Sequence, residues 1–585
     1  MDKLFAIKRA SRSRSAAVLL FVLGGLVAVA FWTGPPALAR APKRPATALK
    51  QPNRLTRRYF KPVCGTVATG HARCFAQVVT DKDGNIFTAT PAAIAGYGPA
   101  QFHTAYQLPC TPGGPVQAIC ATPTSFGPQT IAIVDDGNLT TGGSTVASSL
   151  ALYDQNFGLP ACTAANGCLT VVNQSGATSP LPASEGWDSE IALDVESAHM
   201  ICQTCKIVLV EASTSSDANL SASNNTAATF NPVAISNSWG NTSSNDTSLD
   251  ADYNHPGIAM IASTGDSGAV SNGVQWPADN PNMLAVSGTS LNVNSNNTWA
   301  SETVWAGSGG GCNPTYAAPA SQLALPNWTS LCGTKRAYGD VAADANPSTG
   351  MAIVFGGTWY EYGGTSLSAP LVAGMIGLVG KVPAGVTAST IPYQSNNASN
   401  FRDIVSGNDC DTSGQAHCTA AAGFDTPSGF GTPLGVGGFS PPPAAPTNVV
   451  AGFVDQTHLN VAWTAATGNV GIASYLIFRN GVQVGTSTTA GYNDSGLAPN
   501  TNYTYSVIAV DILGNRSPAS AVSAAIGTYS PEDINQDGHI NLFDFSLFAL
   551  KYGQTGAGLG RADINGDGVV NVLDLSLISS KYGSE

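Results

Sequence analysis

Apolar runs and amphipathic stretches take turns along the chain between about residues 126 and 437. Runs such as TIAIVD and KIVLVEA have the length and β-branched content of buried strands, whereas EIALDVESAHMI and SAPLVAGMIGLVG have the apolar spacing of helices. Strands that alternate with helices form a parallel sheet covered on both faces. The pattern therefore predicts an α/β domain with a doubly wound parallel sheet, and a ligand is expected at the loops that follow its strands.

The pattern changes after the proline-rich stretch SPPPAAPT at residues 440–447, a composition that favours a stiff spacer. Short segments with alternating apolar and polar residues follow from about residue 444 to 528 and predict a small β-sandwich. From residue 533 the sequence DINQDGHINLFDFSLFALKYG is nearly repeated thirty residues later as DINGDGVVNVLDLSLISSKYG. This repeat predicts two helical units with similar loops.

The first 39 residues have the layout of a secretory signal, with five basic residues between positions 3 and 14, an apolar run at 16–32, and then Ala37, Leu38 and Ala39. This layout predicts a signal peptide that is cut before Arg40, and no stable membrane span after the cut. The 17 apolar residues are at the short limit for a spanning helix, so an uncleaved anchor stays open.

Twelve cysteines, all before residue 420, support export, because an even number in an exported chain fits disulfides in an oxidising compartment. Cys202 and Cys205 have C-x-x-C spacing, but without a second such couple or a histidine pair a structural bridge is favoured over zinc or redox chemistry. The close couples that predict local disulfides are Cys64 and Cys74, Cys110 and Cys120, Cys162 and Cys168, Cys202 and Cys205, Cys312 and Cys332, and Cys410 and Cys418.

The low fraction of charged residues and the negative net charge limit which partners the chain can bind. Charged residues make up 11% of the chain, well below the ~25% of typical soluble domains, which suits an extracellular protein. The net charge of −12 opposes nucleic-acid binding, since a protein must neutralise phosphates to hold them. No nucleic-acid partner is expected.

Ser366 stands at the predicted start of a long helix, after the tight-turn pair Gly363 and Gly364 and before Pro370 in the first turn. The helix dipole and free backbone N–H groups there favour developing negative charge, which acyl transfer through a serine nucleophile requires. Taken alone, the motif also fits a simple helix cap formed by Thr365 or Ser366.

A serine nucleophile needs a base, usually histidine, but none of the seven histidines lies in a glycine-rich loop that would present it to the serine. Glu190 and Asp194 offer another base, because their i,i+4 spacing stacks both carboxylates on one face of a helix. Buried together, they would share a proton and titrate as a unit. The alternative is an exposed acidic stripe that includes Asp188 and Glu196.

Asp266, in the sequence STGDSG after a strand-like run, is a candidate oxyanion donor. An aspartate donates a hydrogen bond only when protonated, so Asp266 would have to keep its proton while Glu190 loses one. Burial raises an aspartate pKa, whereas an exposed aspartate with a pKa near ~3.9 is protonated only in acid. Whether Asp266 is buried or exposed, its need for a proton therefore favours activity at low pH. The simpler alternative is a turn aspartate flanked by glycines.

The order E-x-x-x-D, then S-x-G-D-x-G, then G-T-S-x-S-x-P resembles the sedolisin family of serine-carboxyl peptidases, which share the subtilisin fold, over about residues 95 to 435. The resemblance implies Ser366 as nucleophile and Asp266 as protonated oxyanion donor. Glu190 would be the general base and acid, and Asp194 would orient it. The implied wall of the substrate cleft consists of Ser236, Asn237, Ser238, Trp239 and Gly240.

Asp135 and Asp136 end the strand-like run TIAIVD and occupy a place that resembles that of the catalytic aspartate of true subtilisins. Since no histidine loop accompanies them, they are expected to be structural or substrate-side residues.

The same resemblance implies a calcium site and a zymogen. Calcium prefers ~6 to 8 oxygen ligands, and the stretch YGPAQFHTAYQLP resembles the end of a sedolisin propeptide, which would make residues 40–125 propeptide-like. The implied calcium ligands are the side chains of Asp403 and Asp425 with the backbone carbonyls of Ile404, Ala421 and Gly423. Two acidic surface turns without a metal are the alternative.

Trp463 and Tyr503, within the alternating segments, resemble the core tryptophan and the tyrosine corner of a fibronectin type III domain. A spacer without chemistry is the preferred interpretation, and weak carbohydrate or surface binding stays open.

Each tail repeat has the spacing of an EF-hand calcium loop, with Asp in place of the final Glu. The first loop would use side chains of Asp533, Asn535, Asp537, Asn541 and Asp544 and the carbonyl of His539. The second would use side chains of Asp563, Asn565, Asp567, Asn571 and Asp574 and the carbonyl of Val569. The doubled motif resembles a type I dockerin, which implies two Ca²⁺ ions and a cohesin-type partner, and the alternative is a calcium-stiffened cap.

Together these features predict a secreted, extracellular serine-carboxyl endopeptidase that cuts proteins or peptides in acid, with one Ca²⁺ in the peptidase domain and two in the dockerin. Association with the cell surface stays open. The alternatives are a tripeptidyl-peptidase of the same family, a subtilisin-type enzyme with an unidentified histidine base, and a catalytically silent adhesion or scaffold protein. The predicted order is signal peptide 1–39, propeptide-like region 40–125, peptidase domain 126–437, proline-rich linker 438–446, fibronectin type III domain 447–528 and dockerin 531–585.

Overall fold

The computed structural model describes residues 58–90, 94–111, 119–120, 127–242, 246–269, 275–326, 328–382, 386–410, 417–468 and 470–584. The predicted signal peptide at 1–39 and the cut before Arg40 lie outside these residues. Within them, no helix combines the length and the hydropathy needed to cross a membrane.

The strands of the N-terminal and peptidase regions are β1 (Tyr59–Pro62), β2 (Arg73–Cys74), β3 (Gln77–Thr80), β4 (Cys110–Thr111), β5 (Ile119–Cys120), β6 (Thr130–Asp136), β7 (Leu169–Asn173), β8 (Lys206–Ala212), β9 (Ala234–Asn237), β10 (Trp239–Gly240), β11 (Ala259–Ser263), β12 (Leu284–Val293), β13 (Trp299–Val304), β14 (Gly311–Ala317), β15 (Lys335–Tyr338), β16 (Val341–Asp344), β17 (Met351–Phe355), β18 (Thr358–Gly363), β19 (Phe401–Arg402) and β20 (Thr432–Pro433).

The α-helices of these regions are α1 (Pro99–Ala105), α2 (Val146–Phe157), α3 (Asp188–Ile201), α4 (Asp217–Ala228), α5 (Ala320–Leu323), α6 (Trp328–Leu331), α7 (Thr365–Val379) and α8 (Ile391–Gln394). Short 3-10 helices lie at Thr141–Gly143, Thr247–Tyr253, Pro347–Thr349, Ala388–Thr390 and Gly437–Phe439.

A mostly parallel sheet forms the centre of the peptidase region, with the strand order β13-β12-β11-β9-β6-β8-β7 and with β16 also paired to β12. Only the β12–β13 pair of this sheet is antiparallel within the described residues. Ile131 and Ile133 of β6 pack with apolar residues of α3 and α7, whereas Ala132 and Val134 pack on the opposite face with residues of α4. Helices cover both faces, so the predicted doubly wound α/β fold is confirmed.

The carboxyl ends of the parallel strands meet at one edge of this sheet, where a ligand site is expected. β6 ends at Asp136, β8 ends one residue after Glu211, β9 ends at Asn237 and β11 ends at Ser263. The candidate site residues lie at this edge.

The chain before residue 81 takes part in the same fold. β3 pairs antiparallel with both β1 and β18, in a four-stranded sheet of order β1-β3-β18-β17. Tyr362 lies opposite Val78, and Gly363 lies opposite Gln77. Since β18 leads directly into α7, part of the predicted propeptide-like region forms a strand next to the helix that carries Ser366.

Five of the six predicted local disulfides are present among the described residues. Cys110 is disulfide-bonded, and its neighbour across the β4–β5 ladder is Cys120. The bridge between Cys202 and Cys205 closes the turn between α3 and β8, as expected for a structural bond. The described disulfides are Cys64–Cys74, Cys162–Cys168, Cys202–Cys205, Cys312–Cys332 and Cys410–Cys418.

The next region is the predicted β-sandwich, with the sheets β21-β22-β25 and β24-β23-β27. Trp463 packs in its core against Tyr475, and the Tyr503 hydroxyl accepts the Ala498 N–H at 2.9 Å, which confirms the tyrosine corner. Its strands are β21 (Thr447–Asp455), β22 (His458–Thr464), β23 (Ile472–Arg479), β24 (Val482–Ser487), β25 (Gly491–Ser495), β26 (Asn502–Tyr503), β27 (Tyr505–Asp511) and β28 (Ile526–Gly527).

The two tail repeats form matching helices, α9 (Leu542–Lys551) and α10 (Val572–Ser580), with a 3-10 turn at Gly560–Ala562. Phe548 of α9 and Ile578 of α10 pack into one small core together with Ile540 and Val570. Each repeat therefore buries its apolar face against the other.

The junction between the peptidase region and the β-sandwich is buried. Asn400 Nδ2 donates to Asn515 Oδ1 at 2.7 Å, and Asn515 Nδ2 donates to the carbonyls of Gly437 and Ser440 at 3.0 and 3.2 Å. The two asparagines are 2% and 1% exposed. The junction is thus held by direct hydrogen bonds as well as by the stiffness of the proline-rich stretch.

Candidate active site

Ser366 lies in the first turn of α7, behind Gly364 and Thr365. Gly364 has a φ of 104°, and a Cβ added there would lie 1.9 Å from the carbonyl oxygen of Phe75, so only glycine fits. The buried Ser366 hydroxyl donates to the Ser238 carbonyl at 3.0 Å and accepts the Phe75 N–H at 3.1 Å. Since the helix has no side-chain cap, the simple capping alternative does not describe Ser366.

Glu190 and Asp194 lie one turn apart on α3, and both are 0% exposed. Every residue of α3 is buried, because the helix packs against α2, α7 and β17. This burial excludes the exposed acidic stripe. Asp188, at the start of the helix, has a different task and accepts the N–H groups of Thr140 and Thr141 at 2.6 and 2.8 Å.

Burial raises the pKa of Glu190 and of Asp194 well above the ordinary carboxyl value, and the nearby carboxyl of Asp135 raises both further. The Ser366 hydroxyl and the Ala76 backbone are the polar neighbours that lower the Glu190 pKa. Among the described residues, no carboxylate oxygen of Glu190 or Asp194 has a partner in hydrogen-bonding geometry. The pair is therefore set to hold and transfer a proton.

Two further buried acids lie at the ends of neighbouring strands. Asp135 of β6 is opposite Glu211 of β8 in the parallel register, and both are 0% exposed. Burial raises the pKa of each to about 8, helped by a neighbouring carboxyl, and raises that of Asp136 to about 7. The sequence pattern pointed to Asp135 but not to Glu211. The available signal for Glu211 was its position as an acid near the end of the buried strand KIVLVEA.

Asp266 lies on the other side of Ser366. Its Oδ1 accepts the backbone N–H and the hydroxyl of Thr365 at 2.7 and 2.9 Å, while its Oδ2 is buried with no hydrogen-bond partner among the described residues. Oδ2 points towards Gly364, because a Cβ added to that glycine would lie 2.6 Å from it. Burial raises the pKa of Asp266 to about 7 against the lowering effect of Thr365. Asp266 is thus a half-buried residue whose carboxyl is held by Thr365, and not a solvated turn residue.

The predicted cleft wall divides into supporting and lining residues. Asn237 Nδ2 donates to the Ile261 carbonyl at 3.0 Å, and Trp239 Nε1 donates to the Val134 carbonyl at 2.9 Å, so both side chains bind the sheet. Ser236 is buried in β9, which positions this wall. Ser238 and Gly240 line the cleft, since each contacts the chain that lies in it. The wall is a strand edge whose backbone groups pair with the chain that lies in the cleft.

A chain segment occupies this cleft, and we call residues 73–76 the cleft segment. β2 pairs antiparallel with β10, so that Cys74 faces Trp239 and Arg73 faces Gly240. The Phe75 N–H also approaches the Ser238 carbonyl at 3.3 Å. On the far side of Ser366, Gln77 Nε2 donates to the Asp266 carbonyl at 3.4 Å. An extended chain therefore enters and leaves the cleft past the serine.

The described histidines hydrogen-bond elsewhere. His103 binds the Met200 carbonyl at 2.7 Å, His199 lies 3.2 Å from Asp154, and His71 binds Ser215 at 3.2 Å. The hydrogen bonds of the Ser366 hydroxyl within the described chain go to Ser238 and Phe75. No histidine is thus placed to serve as its base among the described residues.

The first candidate calcium loop gathers two acids. Asp425 Oδ2 accepts the Ala421 N–H at 2.7 Å, and Asp403 Oδ2 accepts the Gly423 N–H at 2.8 Å. Burial raises the pKa of Asp425 to about 6, and the charge of Asp403 adds to it. Ile404 is buried beside the loop. Two carboxylates that repel each other around one loop of carbonyls fit the donor set of a calcium ion.

The two tail loops have the same internal hydrogen bonds. In the first, Asp533 accepts the N–H groups of Asp537 and Gly538, and Asp544 accepts those of Asn535 and Asn541. The second loop repeats this arrangement with Asp563, Asp567, Gly568, Asp574, Asn565 and Asn571. Backbone N–H groups thus hold the acids of each loop in the same arrangement, and their carboxylate oxygens are the kind of ligand that calcium prefers.

A three-residue cluster of possible metal ligands, Cys162, Cys168 and His199, also lies in the described part of the chain. Its two sulfurs form a disulfide, so they are not available as thiolate ligands.

Each of the three regions of the chain matches a known protein family. Residues 187–424 match the subtilase family, residues 444–525 the fibronectin type III domain, and residues 531–581 the dockerin type I domain. A Pseudomonas sedolisin structure, described as a serine-carboxyl proteinase in complex with pseudo-iodotyrostatin, aligns at 23% identity with a TM-score of 0.47, over 58% of this chain and 96% of that one.

Three curated peptidases are similar in sequence. Kumamolisin from Bacillus sp. (strain MN-32) is 30% identical over 403 residues, which cover 63% of this chain and 67% of kumamolisin. Xanthomonalisin from Xanthomonas sp. (strain T-22) is 36% identical over 27% of this chain and 21% of its own length, and sedolisin from Pseudomonas sp. (strain 101) is 32% identical over 27% and 28%. The chain therefore belongs to the sedolisin family of serine peptidases, and its peptidase domain is followed by a fibronectin type III domain and a type I dockerin.

Proposed function

We propose that this peptidase is a secreted serine-carboxyl endopeptidase that works in acid. The observation that carries the proposal is a buried serine hydroxyl next to a buried pair of carboxyl groups whose pKa values are raised. No cation or histidine accompanies them within the described residues, so the carboxyl pair itself has to move the proton.

In the proposed reaction, Ser366 attacks the carbonyl carbon of a peptide bond, and its proton passes to Glu190. Glu190 then gives that proton to the leaving nitrogen, and the peptide bond breaks to form an ester on Ser366. Asp194 would share a proton with Glu190 and orient it, since burial and the neighbouring carboxyls of Asp135 and Glu190 raise the pKa of Asp194. Water hydrolyses the ester by the same transfers in reverse.

Asp266 would stabilise the negative charge that forms on the substrate oxygen. Thr365 holds its Oδ1, so a protonated Oδ2 can donate towards the space beside Gly364. Since the pKa of Asp266 is about 7, the carboxyl carries this proton in acid and loses it as the pH rises through neutrality.

The path of the cleft segment supports endopeptidase over tripeptidyl-peptidase action. A tripeptidyl-peptidase needs a cleft that ends three residues before the cut bond. Here the Phe75 N–H contacts the Ser366 hydroxyl, and the chain continues beyond Arg73, where the Ala72 N–H donates to the Ser215 carbonyl at 2.8 Å. A longer chain therefore fits on that side.

Calcium would stabilise the peptidase domain and the dockerin without entering the reaction. In the peptidase domain it would be held by Asp403 and Asp425 with the carbonyls of Ile404, Ala421 and Gly423. In the dockerin, each of the two EF-hand-like loops would hold one ion between its acids. Bound calcium supplies the positive charge that these carboxylates lack.

The dockerin would attach the enzyme to a cohesin-type partner outside the cell. At the start of each helix, two large apolar side chains are exposed, namely Leu542 and Phe543 of α9 and Val572 and Leu573 of α10. Their equivalent positions in the two repeats give two similar apolar contacts, which suits a protein partner.

The test is hydrolysis of a quenched fluorescent peptide with an acetylated N-terminus, from about pH 3 to about pH 8, a range that spans the carboxyl and histidine pKa values. Activity in acid that is lost in Ser366→Ala and in Glu190→Gln supports the mechanism. Ser368→Ala is the matched control, because the hydroxyl of this buried serine of the same helix donates to the Thr365 carbonyl at 2.8 Å and so stays within the helix.

Other outcomes identify the alternatives. Activity only on peptides with a free N-terminus indicates a tripeptidyl-peptidase. Activity near neutrality that survives Glu190→Gln indicates a histidine base, and no hydrolysis at any pH by the correctly folded protein indicates a binding or scaffold role.

A further inference from the structure

Glu211, near the carboxyl end of β8, lies on the face of the central sheet that α3 covers. Along β8, Ile207 and Leu209 pack in the same core as apolar residues of α3. Because the side chains of a strand alternate between its two faces, Glu211 shares the face of Ile207 and Leu209. Its carboxyl group therefore lies in the layer between the sheet and the helix that carries the candidate carboxyl pair.

Asp135 of β6 lies on the same face, next to Glu211. Ile131 and Ile133, which precede Asp135 in the same alternation, also pack in the core with α3, and Asp135 is opposite Glu211 in the parallel register. Neighbouring strands lie about 4.8 Å apart, so the two side chains stand side by side. Asp135 is also a charged neighbour of both carboxyl groups on α3. A row of acids thus runs from Glu211 through Asp135 to that pair.

Asp135 and Glu211 lack hydrogen-bond donors other than a proton of their own. Both oxygens of each side chain are buried without a hydrogen-bond partner among the described residues. Two ionised carboxylates side by side would repel each other and leave these acceptors unsatisfied, which is costly in a buried site. A proton on one carboxyl group is the donor that the other needs, so the two form a hydrogen-bonded acid pair.

The charged groups around Glu211 are themselves acids. They are Asp135, Glu190 and Asp194 on the α3 face, and Asp136 and Asp217 at the ends of the elements β6 and α4 that pack on the other side. The remaining titratable groups of α3 have other partners, namely Thr140 for Asp188, Val354 for Glu196 and Asp154 for His199. No salt bridge among the described residues includes Asp135 or Glu211. A shared proton therefore takes the place of a cation here.

We infer that Glu211 is a positioning residue of the peptidase, which shares a proton with Asp135 and so keeps Asp135 uncharged beside Glu190 and Asp194 in acid. The inference rests on the proposed function and adds a residue to it. Glu211 acts through Asp135, and the shared proton stays on this acid pair while Glu190 exchanges the proton of Ser366.

The charge of Asp135 determines how readily Glu190 ionises. Glu190 has to be ionised to accept the serine proton, and a carboxylate at Asp135 would hold a proton on it more tightly. Burial raises the pKa of both Asp135 and Glu211 to about 8, so the acid pair is neutral over the acidic range. The pair thereby lets Glu190 ionise at a lower pH than it would beside a carboxylate.

The first test is the pH profile of kcat/KM of the full chain with a quenched fluorescent peptide. In Glu211→Gln the amide N–H donates to Asp135 and favours its carboxylate, which raises the pKa of Glu190. The rise of kcat/KM on the acidic side should therefore move up by about one pH unit. Glu211→Asp keeps a carboxyl group and should restore most of the original profile.

Two further variants isolate the effect. Glu196→Gln is the matched control, since this buried glutamate of α3 accepts the Val354 N–H at 3.0 Å, and its acidic limb should not move. In an Asp135→Asn background, Glu211→Gln should cause no additional shift, because Glu211 acts only through Asp135. A thermal melt verifies the folding of each variant.

The second test needs no hydrolysis. The infrared band of protonated carboxyl groups is measured at about pH 6, above the ordinary carboxyl pKa values, in the Ser366→Ala background. Glu196→Gln should remove the signal of one group, since burial raises the Glu196 pKa well above the ordinary value. Glu211→Gln should remove about twice as much, because Asp135 loses its proton as well.

Several results would overturn the inference. They are an unmoved acidic limb in Glu211→Gln, a shift of the same size in Glu196→Gln, an additional shift in the Asp135→Asn background, and equal losses of the infrared band in the two glutamine variants. Any of these with intact hydrolysis by the wild type removes the inference but keeps the proposed function. A wild type that hydrolyses nothing at any pH removes both.

Discussion

The candidate catalytic cluster and the dockerin loops both contain carboxyl groups, but the surroundings of these groups differ. Glu190 and Asp194 are buried on a helix without hydrogen-bond partners among the described residues, and their pKa values are raised. In the second dockerin loop, backbone N–H groups surround Asp574 and lower its pKa. Burial without donors yields carboxyl groups that hold protons, whereas the donors around Asp574 yield a carboxylate that keeps a negative charge for a cation.

The strongest test of this contrast removes one proton carrier. Glu190→Gln cannot accept the serine proton, so we expect kcat/KM in acid to fall by about 10² to 10⁴-fold. Asp574→Asn changes an acid of the dockerin instead and should leave peptide hydrolysis unchanged. A similar loss in both variants would show that the two acid groups are not functionally separate.

The second-largest loss of activity is expected from removal of the carboxyl group of Asp266. Asp266→Ala removes the proposed oxyanion donor, and we expect a loss in kcat of about 10² to 10³-fold. Asp266→Asn keeps a donor that does not titrate, so it should retain more activity and lose part of the decline between about pH 6 and about pH 8. Equal pH profiles for the asparagine variant and the wild type would contradict the role of a protonated Asp266.

Calcium removal should act on the dockerin. An ion at 100 times its Kd stabilises its site by about 2.7 kcal/mol, and chelation removes this contribution. We expect hydrogen exchange in α9 and α10 to accelerate while α3 stays protected. Unchanged exchange in α9 and α10 would mean that the loops are stable without the metal.

The smallest effect is a pH dependence of stability. The carboxyl of Asp135 has a folded-state pKa of about 8 and that of Asp266 one of about 7, both above the unfolded value near ~3.9. The unfolded chain therefore releases these protons first as the pH rises, and the free energy of unfolding falls by about 1.4 kcal/mol per pH unit for each group.

Thermal unfolding of Ser366→Ala, which avoids self-digestion, measures this trend. The melting temperature of the peptidase domain should decrease from about pH 5 to about pH 7, before it levels off above the folded-state pKa values. An increase over this range would contradict the raised pKa values of the buried acids.

Much of the fold and of the site could be predicted from local patterns. Alternating strands and helices predicted the doubly wound sheet, and close cysteine couples predicted the disulfides. Glu190, Asp194, Asp266 and Ser366 belong to short motifs, and the structure brings all four to one edge of the sheet.

The remaining features depend on contacts that are distant in sequence. Phe75 meets Ser366 across 291 positions, and no periodicity links an N-terminal strand to a helix start that far away. Glu211 joins the cluster because β8 lies beside β6, which depends on the strand order. The contact of Phe75 with Ser366 leaves no local signal, and the acid near the end of KIVLVEA does not by itself show which strand lies beside it.

The buried asparagines at the junction have a consequence for an anchored enzyme. Asn515 binds Asn400 and two peptidase carbonyls, and at the other end of the sandwich Asn500 Nδ2 donates to the Gly538 carbonyl of the dockerin at 3.3 Å. A flexible tether would let the active site sweep a wide volume around its anchor. In the proposed anchored enzyme, hydrogen bonds at both joints would narrow the volume that the active site reaches, so distance from the anchor, as well as side-chain preference, would select which neighbouring proteins are cut.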